Sequence, residues 1–290
     1  MRMLRLRAFA KVNYALDVYG LRADGYHEIG TVMQSISLAD EVELRRVTEG
    51  FGLSRVPEGT DTGPPERNTV YLAWKQLQKL TGDELPCEVT LRKKIPTGAG
   101  LGGGSADAAA VLVGLNEIFG LGMRVEELRE TGGGIGADVP FCISGGTTLG
   151  EGVGEILTPL PAPQAHLLVV AKPLRSADTA SIYRAYDSTE TEITRSVEPV
   201  VSALRSGSVP ALASAVGNDL GSVTKSLVAE VAELERTLEA SGALGASMSG
   251  SGTAVYGIFD DEETAWSAKE TLDAPFIGVY EPVSRGVEIA

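Results

Sequence analysis

Five glycines fall within eleven residues at Pro96-Thr97-Gly98-Ala99-Gly100-Leu101-Gly102-Gly103-Gly104-Ser105-Ala106, more than a plain turn needs. Apolar residues follow at once at 108, 109, 111, 112, 115, 118 and 119, on one helical face, which predicts a helix beginning near Ser105 or Ala106. Glycines let the backbone approach a ligand closely, and the first turn of a helix offers unpaired N–H groups at the positive end of its dipole. The combination predicts a phosphate-holding loop. No Gly-Lys-Ser/Thr closes it, so it is not a Walker A loop. Gly98, Gly100 and Gly103 satisfy G-x-G-x-x-G, but a dinucleotide site also needs a buried parallel strand before the loop. Here Glu88 to Ile95 alternates polar and apolar, as a half-exposed antiparallel strand does. The acid about 20 residues on, Glu117, falls inside the helix. A nicotinamide-dependent dehydrogenase is therefore disfavoured by context.

The formal charge of −14 opposes nucleic acid or an anionic membrane as partner, because both demand a basic surface. It also sharpens the loop argument: an acidic chain that holds phosphate must use main-chain donors, a few placed lysines and a metal ion. The length of 290 residues gives two domains, each with room for a core. The apolar stretch Leu160-Pro161-Ala162-Pro163 reads as the linker, dividing the chain into residues 1–160 and 161–290. Cys87 and Cys142 make no disulfide framework and sit among apolar neighbours, as buried free thiols do. No apolar run of about 18 residues and no signal-peptide pattern is present, so the expected location is a reducing cytoplasm.

Along the chain, Leu4 to Val18 alternates as a strand with one buried face, and Lys11, Asn13, Ala15 and Asp17 stand on its other, solvated face. Asp24-Gly25 turns the chain and leaves Tyr26 and His27 together just beyond. A strand pair is expected over Val32–Leu38 and Glu41–Val47, then a surface loop over 49–67. Asn68 caps an amphipathic helix that ends near Gly82. After the glycine loop and its helix, Val125–Thr131 is helical and runs into Gly132-Gly133-Gly134-Ile135-Gly136-Ala137-Asp138-Val139-Pro140, where Asp138 before Pro140 has the look of a helix cap. The glycines between 145 and 155 predict a tight strand pair. The second half opens with a strand at Leu167–Ala171 and carries helical patterns near 182–186, 197–204, 212–216 and 227–238. It ends with a Ser249-Gly250-Ser251-Gly252 turn, a strand at 254–259, a helix at 262–272 and a strand at 278–280. Strands and helices mixed without strict alternation predict an α+β fold.

Lys11-Val12-Asn13, the loop 96–106, Gly136-Ala137-Asp138-Val139-Pro140 and Ser249-Gly250-Ser251-Gly252 together resemble the motifs of the GHMP small-molecule kinases, in their usual order. The resemblance covers essentially the whole chain. It narrows through Ala10-Lys11-Val12-Asn13, Arg22-Ala23-Asp24-Gly25-Tyr26-His27, Gly150-Glu151-Gly152-Val153-Gly154-Glu155 and Asn218-Asp219-Leu220. It implies an N-terminal domain like ribosomal protein S5, a C-terminal ferredoxin-like domain and an active site between them. The activity it implies is ATP-dependent phosphorylation of the 2-hydroxyl of 4-diphosphocytidyl-2-C-methyl-D-erythritol, in non-mevalonate isoprenoid precursor synthesis. The alternative is another GHMP kinase of homoserine or mevalonate type, against which Tyr26-His27 speaks, since a small aliphatic alcohol has no base to stack.

By motif position, the resemblance implies Lys11 and Asp138 as the catalytic pair and Pro96, Thr97, Gly98, Ala99, Gly100, Leu101, Gly102, Gly103, Gly104, Ser105 and Ala106 as the ATP loop. Asn68 and Lys93 fall near the nucleotide and phosphates. Asn13 and Val153 fall beside the substrate, with Thr179 placed there too although 175–179 fits the pattern less well. Tyr26 and Tyr183 fall where the family stacks rings on cytosine, and His27 where it hydrogen-bonds the base. The implied partners are ATP, Mg2+ and a small cytidine-diphosphate substrate, with the chain a monomer or homodimer. The chemistry agrees. Phosphoryl transfer is mostly positioning and charge stabilisation. A carboxylate at Asp138 can accept the hydroxyl proton, and a nearby Lys11 would keep it ionised. Ser105 offers Mg2+ a hydroxyl, and no carboxylate ligand is assigned.

Overall fold

The computed structural model describes residues 2–57, 67–189 and 195–290. Its spine is one long hairpin of β1 (Met3–Leu21) and β2 (His27–Arg46), joined by the Asp24-Gly25 turn. The two strands expected over 32–38 and 41–47 are a single continuous strand, because residues 39–40 pair with β1 instead of turning. Register shifts interrupt the ladder between Phe9 and Lys11 and between Asn13 and Ala15. Bulges of this kind re-aim side chains, and these two bracket Lys11-Val12-Asn13.

Only one face of β1 was expected to be covered. The structure buries every residue from Ala8 to Val18, including Lys11, Asn13 and Asp17. Strand periodicity reports one packing partner; here α2 (Gly103–Phe119), α4 (Val139–Ser144) and α6 (Val197–Ser206) all pack on β1, and Tyr14 reaches His166 and Tyr256. Asp17 is buried because it caps a helix from a distance: its Oδ1 accepts from the Ser196 N–H (2.7 Å) and its Oδ2 from the Val197 N–H (3.2 Å), at the start of α6.

The first sheet runs in the order β12-β1-β2-β4-β3, with β3 at Phe51–Val56, β4 at Cys87–Arg92 and β12 at Val287–Ile289. The hairpin β5 (Thr147–Glu151) and β6 (Ile156–Pro159) pairs with β2, and the short β8 (Gly217–Asn218) pairs with β1. The strand β3 lies inside the loop expected over 49–67. Its paired residues in β4 lie 36 positions along the chain, so no local pattern announces it; residues 58–66 of that loop lie outside the described residues. The sheet's helices are α1 (Thr69–Thr81), α2, α3 (Val125–Gly133) and α4. Helix α2 begins at Gly103, two to three residues before the start expected near Ser105 or Ala106, since Gly102 itself takes the cap position. It is buried on nearly all sides, Ala106 to Leu112 without a break.

The second sheet has the order β11-β7-β10-β9, all antiparallel, from β7 (Leu167–Lys172), β9 (Gly245–Met248), β10 (Val255–Phe259) and β11 (Phe276–Tyr280). With α9 (Ala229–Ala240) before β9 and α10 (Glu262–Thr271) before β11, it is the ferredoxin-like β-α-β-β-α-β unit. Between β7 and α9 lie α5 (Thr179–Asp187), α6, α7 (Val209–Ala215) and the unanticipated α8 (Gly221–Leu227). The mixed α+β class is as expected. Among the described residues no helix is long and apolar enough to cross a membrane.

Candidate active site

The glycine loop is fastened to both sheets. Leu101 O accepts from the Lys11 N–H (3.0 Å), Ala99 O from the Ala254 N–H (3.0 Å), and Gly100 O from the Ser249 hydroxyl (2.9 Å). Gly100 has φ +75°, and a Cβ there would lie 2.0 Å from Ser249 O, so only glycine fits. No side chain caps α2 at Gly102, which leaves the first-turn N–H groups to a ligand.

Beside the loop opens a cleft of about 760 Å³. Lys11, Asn13, Asp138 and Ser105 line it together with Gly98, Gly100 and Gly102. Lys11 is buried; its Nζ donates to Asn13 Oδ1 (2.7 Å) and stands 3.4 Å from Asp138 Oδ2. Asn13 Nδ2 donates to Thr31 Oγ1 (2.7 Å), whose hydroxyl donates to Ala15 O (2.7 Å), and this relay fixes the amide's orientation. Asp138 occupies the N-cap position of α4, yet its side chain makes no cap hydrogen bond and is about a third exposed (35%). Its carboxylate turns to Lys11 and the cleft, not to its own helix.

The far wall belongs to α5 and the hairpin turn. His27 stacks on Tyr183 (centroids 4.7 Å, 27°) and meets the edge of Tyr186 (6.4 Å); its Nε2 lies 2.7 Å from Asp187 Oδ1. Burial, reinforced by the negative charge of Asp138, raises the Tyr183 phenol. Tyr26 stands at the rim, 66% exposed. One face of Tyr183 is thus covered by the imidazole, which the sequence did not foretell. Val153 lies in the β5–β6 turn, its N–H donating to Glu155 Oε2 (2.7 Å), and lines the cleft too. Thr179, first residue of α5, pairs its hydroxyl with Ser251 Oγ (2.8 Å) at the opposite lip.

Two residues stand off the cleft wall. Asn68 caps α1, its Oδ1 accepting from the Val70 N–H (2.9 Å), while the adjacent Thr69 hydroxyl donates to Gly104 O (2.7 Å). Lys93 lies beneath the start of α2, its Nζ between Asp107 Oδ2 (2.6 Å) and Asp40 Oδ2. Burial pulls the ammonium's pKa down, and the two carboxylates more than reverse it. With one cation between two acids a carboxylate is surplus: burial raises the Asp107 carboxyl, and its Oδ1 has no partner among the described residues. Pro96, Thr97, Ala99, Leu101, Gly103, Gly104 and Ala106 complete the loop without lining the cleft. A larger groove, about 900 Å³, runs between the β5–β6 hairpin and residues 281–288 and contains none of the sequence-predicted residues.

Sequence reasoning gave no role to Thr31, Asp178, Arg184 and Asp187, which also line the cleft, as does Ser251 of the Ser249-Gly250-Ser251-Gly252 motif. Asp187 follows Tyr183 by four positions, hence shares its helical face, and that spacing was the available signal. Among the described residues no group of three His, Cys, Asp or Glu side chains could hold a metal ion.

The model of the GHMP kinases N terminal domain matches residues 68–146, and that of GHMP kinases C terminal matches 200–278. The chain is 40% identical to a 4-diphosphocytidyl-2-C-methyl-D-erythritol kinase of Thermoanaerobacter sp. (strain X514), over 100% of this chain and 99% of that one. It is 42% identical to the protein of that name in Geobacter sulfurreducens, over 94% and 96%. Among solved structures it resembles a 4-(cytidine 5'-diphospho)-2C-methyl-D-erythritol kinase, with a TM-score of 0.79 and 32% identity over 96% and 98% of the two chains. Homoserine kinase from Cytophaga hutchinsonii matches with the same TM-score at 21% identity, over 100% and 98%, a likeness of fold alone.

Proposed function

The chain belongs to the GHMP kinases, a family of ATP-dependent kinases, and from that premise we propose that it phosphorylates the 2-hydroxyl of 4-diphosphocytidyl-2-C-methyl-D-erythritol, giving the 2-phosphate and ADP. The observation that carries the proposal is one cleft holding three things at once: loop amides, the Lys11–Asp138 pair 3.4 Å apart, and a ring wall of Tyr26, His27 and Tyr183.

The roles follow from the geometry. The α2 N-terminus and the loop amides hold the triphosphate and stabilise charge that moves onto its oxygens. Asp138, exposed enough to meet substrate, accepts the hydroxyl proton. Lys11, fixed by Asn13, faces that carboxylate and offsets charge on the attacking oxygen. Tyr26 and Tyr183 offer faces for a pyrimidine and His27 a ring nitrogen; Val153 and Thr179 close the cleft around the substrate. The Ser105 hydroxyl, beside the amides on the cleft wall, suits Mg2+, which takes few protein ligands and relies on phosphate oxygens; bound there it would neutralise phosphate charge. Lys93 acts on the phosphates through the α2 terminus it supports, and Asn68 through its cap on α1.

The division into an ATP-binding half, residues 1–160, and a second half, 161–290, belongs to the same reading; the matched spans 68–146 and 200–278 fall on either side and support it. So does a reducing cytoplasmic setting, supported by two buried free thiols, for a monomer or homodimer that binds neither nucleic acid nor membrane. The test is ATP turnover against 4-diphosphocytidyl-2-C-methyl-D-erythritol, homoserine, mevalonate and galactose. The cytidine substrate alone should be consumed, with a new phosphomonoester in the 31P spectrum. Turnover of homoserine or mevalonate with none of the cytidine substrate would overturn the reading.

A further inference from the structure

Only two histidines occur in the chain, and hydrogen bonding holds them in opposite tautomers. His166 Nδ1 faces Gln164 O (2.8 Å), which can only accept, so Nδ1 carries the hydrogen and Nε2 accepts from the Tyr14 hydroxyl (2.9 Å). His27 is the reverse. Its Nε2 faces the Asp187 carboxylate (2.7 Å), so Nε2 carries the hydrogen. In the neutral ring Nδ1 is then an acceptor, with no partner among the described residues, on a side chain that lines the cleft.

The ring cannot easily turn away from that role. Tyr183 lies against its face, Tyr186 against its edge, and Asp187 holds its far nitrogen, all three from α5. An acceptor so fixed discriminates between pyrimidines. The exocyclic amino group of cytosine donates a hydrogen bond, whereas the corresponding uracil oxygen only accepts and would meet a second acceptor. We propose that Asp187 is a positioning residue that fixes the His27 tautomer and thereby sets the preference for cytidine over uridine in the substrate. The proposal rests on the function given above.

The experiment compares wild type, Asp187→Ala and Asp187→Asn on 4-diphosphocytidyl-2-C-methyl-D-erythritol and its uridine counterpart, with 15N spectra of both histidines at alkaline pH. In Asp187→Ala the cytidine-to-uridine ratio of kcat/KM should fall by about 10- to 100-fold, the range expected when an acceptor no longer has to face a second acceptor. The change should sit in the KM values of the two pyrimidine substrates, with kcat and KM for ATP within about twofold. Asp187→Asn retains an acceptor through its amide oxygen and should keep most of the ratio. The spectra should show His27 as the Nε2–H form in wild type and as a mixture in Asp187→Ala, with His166 unchanged as the Nδ1–H reference. An unaltered ratio in Asp187→Ala, or a wild-type His27 in the Nδ1–H form, would overturn the proposal. If wild type fails to turn over the cytidine substrate, the proposed function falls, and the 15N spectra still decide whether Asp187 sets the tautomer. The spectrum of wild type decides it too should Asp187→Ala not fold.

Discussion

Alanine at Gly100 and at Gly82 imposes nearly the same backbone demand in very different surroundings. Gly82 closes α1 at φ +73°, and nothing lies within 4 Å of where its Cβ would be. Gly100 has φ +75°, but its Cβ would stand 2.0 Å from Ser249 O, against an ordinary contact of at least 3.4 Å. Both substitutions carry the left-handed penalty, about 1–2 kcal/mol. Only Gly100→Ala must also push two backbones apart by the 1.4 Å difference, since no rotamer can relieve a clash with a carbonyl. That movement breaks Ser249 Oγ–Gly100 O and Ala254 N–Ala99 O. At about 0.5–1.5 kcal/mol each, the two bonds add about 1–3 kcal/mol. Gly82→Ala should therefore lower Tm by about 2–8 °C with the KM for ATP unchanged, taking about 2–4 °C per kcal/mol at this size. For Gly100→Ala the extra ~1–3 kcal/mol appears either as a further fall in Tm or, if the loop lifts from Ser249 while the rest stays folded, as a rise in the KM for ATP of about 5- to 140-fold. Differential scanning calorimetry and initial-rate kinetics on both variants decide the matter. Equal Tm and equal KM for the two would refute the seating of the loop on the Ser249 carbonyl.

Asp138→Asn should lower kcat by about 10²–10⁴ with the ATP dissociation constant within about twofold, because the base and the phosphate loop are separate groups; retention of most of kcat would remove the base assignment. Tyr26→Ala should raise KM for the cytidine substrate by about 5- to 140-fold, a base stack being worth about 1–3 kcal/mol, and leave KM for ATP alone. An equal rise in both would mark Tyr26 as packing. Burial holds the His166 imidazole below its ordinary pKa despite its bond to Gln164 O, so the unfolded chain takes up the proton first as pH falls. Its contribution to stability is thus complete above about pH 6.5 and is lost below it, at up to about 1.4 kcal/mol per pH unit. Urea unfolding of wild type and His166→Gln between pH 8 and 5 should show the shallower acid slope in the variant, and identical slopes would contradict it.

What the sequence made readable was local. The glycine loop, the Asn68 and Gly82 ends of α1, the Asp24-Gly25 turn and the β5–β6 hairpin are each specified within a few residues, and each stands where expected. What it concealed was set by distant partners. Lys11 and Asn13 read as a solvated strand face because alternation reports only one layer, and the covering layers come from α2, α4, α6 and the second sheet. Strand β12 joins β1 from almost the other end of the chain, and β8 adds two residues to it in parallel. The site divides in the same way. Asp138 and the loop sit in compact motifs, whereas Asp187 matters through a ring 160 positions away. A carboxylate four residues after a tyrosine is unremarkable until the fold brings His27 against both.

The distribution of charge explains why this site leans on main-chain amides. A chain of net −14 that gathers two polyphosphates into one cleft works against its own field. Among the described residues the lysine and arginine side chains lining the cleft are Lys11 and Arg184, against three carboxylates at Asp138, Asp178 and Asp187. Lys11 is engaged by Asp138 and Asn13, and Lys93, the next cation inward, is more than neutralised by Asp40 and Asp107. Side-chain charge in the cleft is therefore net negative even with Arg184 counted, and in the proposed reading the triphosphate depends on Mg2+ and on the α2 terminus, whose N–H groups carry no formal charge, require no counter-ion and do not titrate. The surplus acid at Asp107 has a place in this scheme: it holds Lys93 under the terminus instead of letting it reach upward, so the helix start is braced from below while its amides stay open above. The glycines of the loop keep that surface bare, and hydrogen bonds to Ser249 and Ala254 hold the loop in shape, so the proposed phosphate site lies where the first sheet's loop meets the second sheet's turn.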